Sequence, residues 1–103
     1  MRMDEFRRSV AGAEPPAGMS VLLAALWWDA KGDWARAHAL VDSLTSRDAM
    51  AVHAYLHRKE GVEWNAEYWY ARAGTRFRRA ELGDEWKALA EEFLQGDDPN
   101  RSR

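Results

Sequence analysis

The chain contains no cysteine, which excludes disulfides, thiolate nucleophiles and cysteine-bound zinc or iron–sulfur centres. That absence suits a reducing compartment. Prolines number three, two of them adjacent at Pro15-Pro16, so long stretches carry no helix breaker. Neither sign of charge dominates: 15 Lys and Arg against 17 Asp and Glu leave a net charge of −2. The strongly basic face that non-specific nucleic-acid binding needs is therefore missing, and nucleic acid is not expected as a partner. Long hydrophobic runs are absent too. The longest nearly apolar segment, Val21 to Trp28, is too short to cross a bilayer. The opening Met1 to Arg8 mixes both charges and lacks the apolar stretch of a signal peptide. These absences predict a soluble, cytoplasmic protein without a membrane partner.

Signatures of catalysis are missing as well. Ser9, Ser20, Ser43, Ser46 and Ser102 lie in no G-x-S-x-G elbow, and the chain has no glycine-rich phosphate loop. Glu81, Asp84, Glu85, Glu91 and Glu92 read as helix-start charges or a solvated face. The expectation is a non-enzyme that needs no cofactor.

What is present is a globular balance: 103 residues, 47% hydrophobic and 31% charged, enough for one domain with a real core. Six tryptophans supply much of that core, because each buries a large apolar area. Phe6 and Val10 share a weak helical face before Pro15-Pro16, so residues 1–16 read as a loosely attached N-terminal arm. Residues 17–96 read as the folded domain, and residues 97–103 as a disordered tail.

Within the domain the pattern turns helical from Ala17 to Lys31, with Val21, Ala25 and Trp28 on one face, and Gly32 stops this helix. Asp33 caps the next one, which runs to about Leu44 with Trp34, Ala37 and Val41 on one face. Thr45-Ser46-Arg47-Asp48 has capping-box spacing and opens a helix from Arg47 to Glu60. Glu63 to Ala73 follows after Gly61. A basic linker, Thr75 to Arg79, leads to a fifth helix with a stripe of Trp86, Leu89, Ala90, Phe93 and Leu94. Helices joined by so little chain fold back as antiparallel hairpins.

Ala25 and Ala54, Gly32 and Gly61, and Ala37 and Ala66 each lie 29 residues apart. Small residues at matched places allow helices to cross closely. On these positions, with Trp28, Trp34, Tyr70 and Ala73, the chain over residues 19–74 resembles the tetratricopeptide family and related bacterial helical repeats. Its period is shorter than the family's roughly 34 residues, and the terminal proline is absent. The resemblance implies an all-α fold: two stacked antiparallel helical hairpins with a C-terminal capping helix over the exposed end of the stack. It also implies a concave face lined by the first helix of each hairpin. Met19, Leu22, Leu26 and Asp29 would come from the first, and Asp48, Tyr55, Arg58 and Lys59 from the second. An apolar floor beside two cations suits a peptide or partner helix. The expected function is therefore a non-enzymatic protein–protein interaction module, its binding residues Leu22, Leu26, Asp29, Tyr55, Arg58 and Lys59. Exposed aromatics on so small a domain are compatible with a homodimer.

Two further features carry chemistry. His53 and His57 lie four apart on one helix face and could chelate a metal. The repeat alignment turns both inward, where His38, Glu60, Glu63 and Asp29 are candidate partners or further ligands. Structural hydrogen bonding is the simpler reading, and a histidine-based metal or small-ligand site the alternative. Arg76, Arg78 and Arg79, with Arg72 around Phe77, could hold a phosphate or acidic ligand, or form a solvated linker paired with Glu81 and Glu85.

Overall fold

The computed structural model describes residues 1–74 and 76–96. Among the described residues six helices follow one another: α1 (Met3–Ser9), α2 (Val21–Lys31), α3 (Trp34–Val41), α4 (Arg47–Glu60), α5 (Glu63–Ala73) and α6 (Leu82–Gly96). Among the described residues there is no strand.

The helix boundaries have local chemical causes. Ser20 caps α2 by accepting from the Leu23 N–H at 3.3 Å. Gly32 ends it at φ 95°, a left-handed value that costs a side-chain-bearing residue more than glycine. Its N–H and that of Asp33 close back onto the carbonyls of Asp29 and Trp28. The same device recurs 29 residues on, where Gly61 also takes φ 95° and sends the chain into α5. Ser46, not Thr45, is the cap of α4, accepting from the Ala49 N–H at 3.1 Å. The second helix is shorter than its pattern predicts, ending at Val41 rather than Leu44.

α2 pairs with α3 and α4 with α5, giving two helical hairpins, while α3 and α2 both meet α4. Ala25, Ala37, Ala54 and Ala66 are all fully buried, as close crossings require. Their small side chains decide how near the helix axes come.

α6 is the capping helix, and it seats across α2 and α4. Its apolar stripe faces inward, with Trp86, Leu89, Ala90, Phe93 and Leu94 all buried. The Trp86 indole N–H donates to the Leu26 carbonyl at 3.0 Å, so even its polar atom is satisfied. α6 thus covers much of the inner face expected to receive a peptide.

α1 packs against α6 and is not a loose arm. Phe6 is fully buried, its ring stacked on Trp86 with centroids 5.7 Å apart. Ser9 accepts from the Trp27 indole N–H at 3.0 Å. The Lys31 ammonium donates to the carbonyls of Val10 and Gly12 at 2.8 and 2.6 Å. A single aromatic anchor and these polar ties hold a segment whose own helical pattern is weak. The expected tail, residues 97–103, and the linker residue Thr75 lie outside the described residues.

Candidate metal centre

His53 and His57 sit one turn apart on α4, with 4% and 7% of their surfaces exposed. Both rings face α3, which brings a third imidazole to them. His38 Nε2 lies 3.0 Å from His53 Nε2. One ring nitrogen from each of the three histidines falls within 4.8 Å of the other two. His38 comes from the first hairpin and its partners from the second. Ala37 beside it is fully buried, as the close approach of the two helices demands.

Aromatic walls fix the rings. Trp34, one turn before His38, stacks on it with centroids 4.8 Å apart and planes 10° from parallel. The Trp34 indole is held in turn by donating to the Leu56 carbonyl at 2.7 Å. From α5, Trp69 stacks on His53 at 4.1 Å. The cluster is therefore packed on both sides, and a metal ligand so held loses little freedom on binding.

Carboxylates stand behind two of the rings. Glu60 Oε1 lies 2.9 Å from His57 Nδ1, and Asp42 Oδ2 lies 4.0 Å from His38 Nδ1. The Glu60 carboxylate, at hydrogen-bond distance, keeps the His57 proton on Nδ1 and leaves the Nε2 lone pair for the cluster, whereas Asp42 is too far from His38 to do the same. Asn65 Nδ2 approaches His57 Nε2 at 3.4 Å. His53 Nδ1 is buried without any hydrogen bond among the described residues, an arrangement that costs free energy.

Burial first, then the nearby His57 and His38, pushes the His53 imidazole down to about 4. Burial and His57 also hold His38 below its ordinary value. Near neutral pH these two rings are uncharged, which is the protonation state a metal ligand needs. Nitrogens bound to one tetrahedral zinc stand roughly 3.3 Å apart, from Zn–N bonds of about 2.0–2.1 Å. The 3.0 Å separation of His38 and His53 is within a few tenths of that edge. Three imidazoles with no thiolate suit zinc, copper or nickel rather than calcium or magnesium.

The other expected site residues are drawn into the fold. Leu26, Asp29 and Tyr55 are buried, and Leu22 is half-buried. Asp29 accepts from the Tyr55 hydroxyl at 2.7 Å and from the Lys59 ammonium at 2.8 Å. Arg58 turns to α6, where it meets Glu85 at 2.6 Å and donates to the Arg79 and Ala80 carbonyls. As a continuous docking strip the six residues are interrupted, because α6 occupies the space in front of Leu26 and Arg58.

The arginine run is likewise tied down. Arg78 bridges Glu63 and Glu67 at 2.5 and 2.9 Å, and Arg76 reaches Asp48 at 3.1 Å. Arg79 donates to the carbonyls of Arg76 and Arg78. Phe77 is buried beside Phe93, not presented for stacking on a base. The acidic partners are thus Glu63, Glu67 and Asp48, whereas Glu85 is taken by Arg58.

Glu85, expected on a solvated face or paired with the arginine linker, is instead a fully buried carboxylate shared by Arg58 and the Tyr70 hydroxyl. Its place in the stripe of α6, one residue before Trp86, was the available signal. Sequence reasoning overlooked Trp69 and Asn65 as neighbours of the histidines.

Comparison of the chain with protein-family models, curated proteins and solved structures gave no match. The fold stands as an all-α hairpin stack of the general helical-repeat or bundle kind. No helix among the described residues is long and apolar enough to cross a membrane.

Proposed function

We propose that this protein binds a transition-metal ion, zinc foremost, through His38, His53 and His57. The observation that carries this reading is the convergence of three ring nitrogens within 4.8 Å from two different hairpins. The uncharged His38 and His53 rings and the Glu60 carboxylate on His57 Nδ1 favour it. A fourth position falls to water or a small ligand. Because His38 is on α3 and the other two are on α4, the ion clamps one hairpin to the next. This is a binding role; no enzymatic activity is assigned to it.

The test is metal analysis of protein purified without a polyhistidine tag, followed by titration with zinc and with cobalt. One ion per chain is expected, with the visible absorption of tetrahedral cobalt, and both should be lost in His57→Ala and His38→Ala. A folded protein that takes up no ion under these conditions refutes the proposal.

A second reading, a protein-interaction module of tetratricopeptide-like build, is favoured by another observation. Trp64 and Tyr68, one turn apart on α5, are 75% and 52% exposed, which is unusual for aromatics of this size. On this reading the partner or a second copy meets the outer face of α5, away from the inner face that α6 covers. Sedimentation of the wild type and of Trp64→Ala over a range of concentrations tests self-association, and loss of any association in the variant is expected.

A further inference from the structure

A cleft of about 440 Å³ opens where α1, α2, α4 and the start of α6 meet. Its volume lies in the range of small-molecule sites, and none of the three histidines lines it. The groups that give it character are Arg7, Asp29, Tyr55, Lys59, Gly83 and Trp86. We propose that this cleft binds a small organic monoanion with an apolar body.

Charge decides the sign of the ligand. Among the lining residues are two cations, Arg7 and Lys59, and one carboxylate, Asp29. Both Asp29 oxygens are engaged, one by the Tyr55 hydroxyl at 2.7 Å and the other by Lys59 at 2.8 Å. That carboxylate is buried and saturated, so it has little left to offer a cationic ligand. Lys59 keeps 39% of its side chain exposed and has further donors. The Arg7 guanidinium lies 5.3 Å from the Trp86 ring centroid. A guanidinium resting on an indole keeps its edge free for forked hydrogen bonds to a carboxylate. The lining thus carries one uncompensated positive charge beside the apolar side chains of Val10, Ala30 and Leu82.

Shape decides the rest. Gly83 leaves the mouth open, since a Cβ built there meets nothing within 4 Å. An apolar body against Val10, Ala30 and Leu82, with its acid group between Arg7 and Lys59, uses both halves of the cleft.

The probes are naphthylacetate, its neutral amide and the cationic naphthylethylamine, added to the full chain at millimolar concentration. Nuclear magnetic resonance follows the Gly83 amide and the Trp86 indole N–H. The acetate should shift both signals saturably and bind about tenfold tighter than the amide, the weight of one charge-assisted contact. Arg7→Gln, an exposed substitution, should remove most of that preference and leave amide binding unchanged. Gly83→Leu should abolish binding of both while the melting transition stays cooperative. Three outcomes overturn the proposal: no shift at either signal, equal binding of acetate and amide, or tighter binding of the amine. Metal content is measured on the same variants and should not change.

Discussion

His38 Nε2 and His53 Nε2 approach to 3.0 Å across the boundary between the two hairpins. One proton can lie between two such nitrogens, so the contact is a hydrogen bond between neutral rings and weakens when both protonate. In the proposed metal site the same pair of atoms forms one edge, with an ion in place of the proton. Stability, pH dependence and metal affinity are therefore linked through one pair of atoms.

Bound metal should raise the melting temperature. An ion present at about a hundredfold its dissociation constant adds roughly 2.7 kcal/mol, which for a domain of this size is about 10 °C or more. Scanning calorimetry with and without zinc checks this. In His53→Ala the increment should vanish, and an undiminished increment would place the ion elsewhere.

Acid should destabilise the free protein through the same residues. The His53 imidazole is lowered from its ordinary 6.5 to about 4 by burial and its histidine neighbours. Between those values the unfolded chain binds more protons than the folded one, so stability is full above about pH 6.5 and falls as the pH drops towards 4. The loss from this ring is on the order of 3 kcal/mol. Urea unfolding at several pH values should reveal it. His53→Gln should flatten the profile in that window while lowering stability at neutral pH.

Removing half of the buried Arg58–Glu85 pair should be costly. Glu85 is fully buried and also accepts from the Tyr70 hydroxyl. Arg58→Ala leaves that carboxylate without its cation, at a cost of about 3–5 kcal/mol. Replacing both residues by apolar ones of similar volume should recover much of the loss. Chemical denaturation of the two single variants and the double variant separates the pair's own contribution from the penalty of an orphaned charge.

The N-terminal helix should behave as part of the core. Phe6→Ala removes a fully buried ring stacked on Trp86, and a loss of about 3–5 kcal/mol is expected. The exposed Trp64→Ala should change stability by no more than about 0.5 kcal/mol. Near-equal effects of the two variants would show that α1 is not docked in solution.

Helix order and hairpin pairing were legible from the chain itself, because local chemistry dictates them. Gly32 and Gly61 at left-handed φ, the cap at Asp33, and four alanines at matched spacing are near-neighbour effects that a linear pattern records. The spacing of His53 and His57 was equally plain, and their inward direction followed from the repeat. What the chain alone did not decide was where α1 and α6 would seat. Phe6 and Trp86 stand far apart in sequence, and their contact depends on which apolar face α2 and α4 leave uncovered. The same applies to the third imidazole. His38 was visible as a neighbour, but only the crossing of α3 over α4 brought its nitrogen within 3.0 Å of His53. Periodicity tells which side of a helix is buried; the partner it is buried against is chosen by packing over the whole molecule.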